Sequence, residues 1–166
     1  MSKVPTQWAR WIYSSCAKHF HGKAQGLSVF IEGFDRDTAN LAEWFEFRAD
    51  GPVYHRTSPI DIRCDIEVNI AVSVKPQGNA FRIHEVTGIV AQAFTNMICV
   101  KRLGKLTDDP KNDGSILGYL SLQPGDKESV VTSFFGKIRP DTKLIQATLE
   151  GHYRMFLTIP GDCPNG

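Results

Sequence analysis

From Ser58 to Lys75 the chain alternates between apolar and polar residues. Ile60, Ile62, Cys64, Ile66, Val68, Ile70, Val72 and Val74 share one parity. Asp61, Arg63, Asp65, Glu67, Asn69, Ser73 and Lys75 share the other, interrupted only by Ala71. Successive side chains of a strand point to opposite faces, so the pattern predicts one β-strand with a dry face and a wet face. At roughly 3.3 Å per residue it would run about 50 Å, where strands usually hold about five or six residues. A strand of that length must bend, cross between sheets or project beyond its domain.

The flanking segments supply the other layer. Pro5 and Thr6 open a predicted helix to about Phe20, with Thr6 as N-cap and Trp8, Trp11, Ile12, Cys16 and Phe20 at helical spacing. Leu27 to Glu32 reads as a short strand between Gly26 and Gly33. Ala42 to Ala49 reads as a second strand that ends at the turn ADGP, Ala49 to Pro52. Asn79 caps a second predicted helix from Ala80 to about Val100, on the stripe Ile83, Val86, Val90, Ala93, Phe94, Met97 and Ile98. Ser115 to Leu122 reads as a strand, Ser129 to Ile138 fits either strand or irregular structure, and Asp141 to Ile159 is a second long strand. Gly151 lies on the apolar parity of that strand, which calls for a bulge or close packing. The expected fold class is α+β: a long, mostly antiparallel twisted sheet with two helices packed on one face. The 166 residues are expected to form a single domain, with residues 160–166 loose.

A formal charge of +1 provides no global basic field for nucleic acid, and no apolar run is long enough to span a bilayer. The opening MSKVPTQWARWIY lacks the apolar core of a signal peptide. Four scattered cysteines, Cys16, Cys64, Cys99 and Cys163, fit small hydrophobes in a reducing cytoplasm, with Cys16 and Cys99 in helical patterns.

Several constellations bear on chemistry. Cys16 and His19 share a helix face at a spacing that suits zinc, but no second ligand pair stands at a fixed distance, so a helix end with exposed histidines is the simpler reading. Asp61, Asp65 and Glu67 on one strand face are the residue types that hold Mg²⁺ in nucleases and phosphatases, which makes a small metal-dependent hydrolase the alternative function. Alternation alone accounts for them as a solvated strand face. DDPKNDG fails as a calcium loop, because position three is Lys111 and position twelve is Leu120 when Asp109 is first. His84 and His152 are isolated. Asp35, Arg36, Trp44, Glu46 and Arg48 form the densest aromatic and charged mixture and are the candidate subunit interface. No catalytic residue, cofactor or metal is expected, and the chain is not read as an enzyme.

With this element order, the phrases EGFDR (Glu32 to Arg36) and EWFEFRADGP (Glu43 to Pro52) resemble the tail terminator, or head–tail joining (neck), proteins of tailed bacteriophages. The resemblance implies a structural virion protein made in the host cytoplasm. It implies a ring of identical subunits, usually a hexamer, that caps the tail tube and meets the head connector. DNA would pass through without specific binding, the face bearing Asp61, Asp65 and Glu67 would look into solvent or the ring lumen, and no membrane is involved. The length of the two main strands and the extended second half depart from that group.

Overall fold

The computed structural model describes residues 3–23, 26–33, 37–75, 78–79, 81–103, 113–125, 129–137 and 143–159. In chain order these form α1 (Gln7–Gly22), β1 (Ser28–Ile31), β2 (Glu43–Arg56), β3 (Asp61–Val74), α2 (Arg82–Ala91), β4 (Met97–Lys101), β5 (Ile116–Leu122), β6 (Val130–Lys137) and β7 (Ile145–Thr158). The class is α+β, with two helices and one seven-stranded sheet ordered β1-β2-β3-β7-β5-β4, and β6 beside β7. The sheet is mixed. β1 runs parallel to β2, and every other pairing is antiparallel.

β3 is the spine. It pairs along its whole length with β7 on one side and with β2 on the other. Its even residues from Ile62 to Val74 are buried in a core completed by Trp11, Ile12 and Phe20 of α1, and by Ile83, Val86 and Val90 of α2. Strict alternation drives this layering, because only one face of such a strand gains from leaving water. Ile60 departs from its predicted parity role: it precedes the strand and is exposed. Among the described residues no helix is long and apolar enough to cross a membrane.

Three local readings change. The predicted second helix stops at Ala91, and Met97–Lys101 is a strand. Over a short apolar run helical and strand periods coincide. Buried Ile98 and Val100 between exposed Met97 and partly exposed Cys99 resolve it as alternation. Cys99 therefore lies in a strand, not a helix. Neither predicted cap forms: Thr6 makes no side-chain cap, and Phe81, not Asn79, stands at the N-cap of α2, with Asn79 Oδ1 accepting the Phe81 N–H at 3.0 Å ahead of the helix.

The third change is at ADGP, which is not a turn. β2 continues through it with a bulge: Asp50 faces Glu67 and Val53 faces Asp65, so two residues, Gly51 and Pro52, stand opposite Ile66 alone. Gly51 has φ 110°, and a Cβ there would sit 3.0 Å from the Asp65 carbonyl oxygen. Glycine is required on both counts. The bulge also reverses the parity of β2.

Below the bulge Tyr54 therefore turns toward the core, with its ring centroid 6.4 Å from that of Trp8. Among the described residues its buried hydroxyl has no hydrogen-bond partner. An unsatisfied buried hydroxyl costs about 1–3 kcal/mol. Tyr54→Phe is expected to raise stability by about 1 kcal/mol, read as a higher urea midpoint with an unchanged slope. A lower midpoint would mean the hydroxyl has a partner.

Candidate functional site: the open face of the sheet

The odd residues of β3 and the even residues of β7 lie on the face turned away from the helices. β2 contributes Trp44, Glu46, Arg48 and Asp50 before the bulge, and Val53 and His55 after it. This open face has two chemically distinct halves.

One half is centred on Asp65, which is only 8% exposed. Its Oδ1 accepts from Arg154 Nε at 2.6 Å and lies 3.0 Å from His152 Nε2; its Oδ2 accepts from Arg63 Nε at 2.8 Å. His55 Nε2 stands 3.6 Å from Oδ2. Three strands supply these groups, and the bulge carries His55 to the right face. Burial by itself would raise the Asp65 carboxyl. The hydrogen bonds from Arg154 and His152, with the positive fields of Arg154 and Arg63, outweigh it and hold the group below the usual carboxylate range. Asp65 lies on the open face but is covered by its partners, rather than standing free in solvent as strand alternation suggests. Arg63 of the same strand, Arg154 and His152 of β7 and His55 of β2 surround it, and the contributions of β2 and β7 are cross-strand effects that one strand's pattern does not contain.

Asp61 is also engaged. Ser58 Oγ donates to its Oδ2 and Thr158 Oγ1 to its Oδ1, both at 2.9 Å. Asp61 and Asp65 thus have all four carboxylate oxygens occupied by donors from the chain itself. That arrangement leaves them poorly placed to present oxygens to a dication, and two guanidiniums at Asp65 would repel one. Among the described residues no group of three or more His, Cys, Asp or Glu is arranged to hold a metal. The Cys16–His19 pair does not converge either. Cys16 is fully buried, and desolvation pushes its thiol up to about 12. His19 Nε2 lies 2.9 Å from the Ala93 carbonyl, to which it donates.

The other half is acidic. Among the described residues, Glu32, Glu46, Asp50, Glu67 and Glu150 line a shallow groove of about 500 Å³ that Arg48 also lines. Arg48 pairs with Glu32 at 3.6 Å and Asp50 at 3.3 Å. Of the acids singled out in β3, Glu67 is the one that belongs to this groove.

The described candidate interface residues, Trp44, Glu46 and Arg48, alternate along the open face of β2. Asp35 and Arg36 lie outside the described residues. Trp44 is buried within its own chain, where Lys75 Nζ sits 5.4 Å from the ring centroid and donates to the Thr38 carbonyl at 2.8 Å. Glu46 and Arg48 remain on the open face. Missed by sequence reasoning were His55, Arg63, Arg154 and His152 as one cluster. The only local signal for it was the Gly-Pro pair within β2, whose bulge brings His55 into line. Neither protein-family models nor curated proteins give a match to this chain.

Proposed function

We propose that this chain is a structural subunit of a ring at the head–tail junction of a tailed bacteriophage, with its open sheet face turned to the lumen. In this reading several copies close around the tail tube axis, join the tube to the head connector, and let DNA pass without binding it. The observation that carries the proposal is the acidic half of the open face: among the described residues, five carboxylates and one guanidinium line a shallow groove. A lumen lined that way repels phosphates at close range, where screening by salt is least complete. Rigid backing supports it, since the face is carried on strands of 14 residues with a helical layer behind.

The alternative, a metal-dependent hydrolase on the strand carboxylates, is less well supported, because Asp61 and Asp65 are saturated by internal donors. Solution mass by light scattering, paired with negative-stain images, tests the proposal. The expected result is a ring of several subunits. A chain that stays monomeric even with tail tubes present would end the ring reading. An assembled structure with the acidic groove buried between subunits would end the lumen assignment.

A further inference from the structure

The three edge strands of this sheet are treated very differently. The outer edge of β4 is closed by α1: the Lys101 N–H donates to Ser15 Oγ at 2.9 Å, and Ser15 Oγ donates to the Lys101 carbonyl at 3.3 Å. β1 is only four residues long, and among the described residues no backbone hydrogen bond closes its outer edge. Covering an edge is one way that folded proteins prevent edge-to-edge pairing. β6 lacks that cover too. It is eight residues long, Val131 to Phe135 are all exposed, and Val131 and Phe135 are 49% and 61% accessible. One side of β6 pairs with β7; among the described residues no backbone hydrogen bond reaches the other side. An uncovered strand edge carrying large apolar side chains is a template for another strand.

The registers identify which strand fits. Val29, Phe45, Val72, Ala147 and Phe134 form one continuous row across β1, β2, β3, β7 and β6. Ile31, Phe47, Ile70, Leu149 and Thr132 form the next row of the same face. β1 and β6 are therefore the two edges of one five-stranded segment, at the same height. Strand directions follow from the pairings: β1 runs with β2, β2 against β3, β3 against β7, and β7 against β6. β6 thus runs opposite to β1. Rotating a copy about an axis along the strands preserves these directions. It brings the outer edge of β6 beside the outer edge of the next copy's β1 in antiparallel orientation. Phe134 then meets Val29 and Ile31 of the neighbour on the helix side of the sheet.

We infer that β6 of one subunit pairs antiparallel with β1 of the next copy, joining five-stranded segments into one closed sheet around the ring. The inference rests on the ring reading, because a head-to-tail contact ends in a closed assembly only when its rotation closes. Closure removes both open edges at once, and with the open face turned to the lumen, as proposed above, the helices lie outside.

Two measurements test it. The V131K/F135K variant places charge on the edge strand without touching the core. Its mass is expected to fall from that of the ring to that of a single chain, with unchanged far-ultraviolet circular dichroism. A wild-type ring that survives in this variant overturns the edge pairing and leaves the ring itself standing. A wild-type monomer overturns both. The second measurement mixes a Ser133→Cys variant with a Ser28→Cys or Phe30→Cys variant under mild oxidation, with wild type as the background control. A disulfide-linked dimer is expected only in the mixture. Efficient linkage of Ser133→Cys to itself would mean a two-fold β6–β6 contact and would overturn the proposed pairing.

Discussion

Asp65→Asn is expected to destabilise the fold by about 2–3 kcal/mol at neutral pH. The substitution keeps the shape but removes the charge that two guanidiniums and a histidine converge on. Breaking a buried ion pair by removing one partner costs about 3–5 kcal/mol. The lower figure applies here because Arg63 and Arg154 keep about a third of their side chains in water, at 34% and 31%, and recover hydration when the carboxylate is gone. For a domain of this size the shift in Tm would be of the order of 6 °C.

The same group makes the difference pH-dependent, with a fixed sign. The folded carboxyl titrates below its unfolded value near 3.8, so its contribution is fully present above that value and is lost as pH falls through the folded pKa. Wild type and Asp65→Asn should therefore be well separated in urea midpoint at pH 7 and draw together as pH falls below 3.8 and through the folded pKa. An equal separation across that fall would rule out the ion-pair account.

The second large effect concerns Gly151, in the middle of β7. A Cβ there would lie 2.7 Å from Phe94 Cδ1 and 2.8 Å from Cε1, well inside van der Waals contact. Phe94 cannot simply step aside, since its ring packs edge-on against Phe20 at 5.0 Å between centroids. Overpacking of a closed core costs about 1–3 kcal/mol. Gly151→Ala is expected at about 2–3 kcal/mol, because a rigid ring meets the added carbon. A thermodynamic cycle with Phe94→Leu provides the check. Leucine opens space at the contact, so the glycine substitution should cost clearly less in that background. Additive effects would show that the strain lies elsewhere.

Gly151 illustrates what the chain declares openly. A glycine on the apolar parity of a long strand signals close approach, and the partner turns out to be the aromatic ring that follows α2. The β3 alternation declares its own burial in the same way, since burial and period are locked together in a half-buried strand. Two features were hidden for physical reasons. Residues 97–101 carry an apolar pattern short enough to satisfy both helix and strand, and the partner strand β5 decides between them. The Asp65 cluster draws on β2, β3 and β7, so its members are neighbours only after three strands pair. His55 needs in addition the parity change at Gly51, since the preceding alternation would have turned it inward. The acidic groove was half legible through Glu67; Glu46 and Glu150 join it only by register.

The Gly51–Pro52 bulge also bears on how this strand tolerates changes of length. Loss of one residue at that point would leave Asp50 opposite Glu67 and Val53 opposite Asp65, so both flanks of β2 would keep their facing and the ladder would become regular. Loss or gain of one residue elsewhere in β2 would turn every side chain beyond it to the wrong face. The bulge is therefore the strand's permissive site for a single deletion. The expected consequence of deletion there is a loss of local twist, with the sheet flatter where His55 now leans over Asp65.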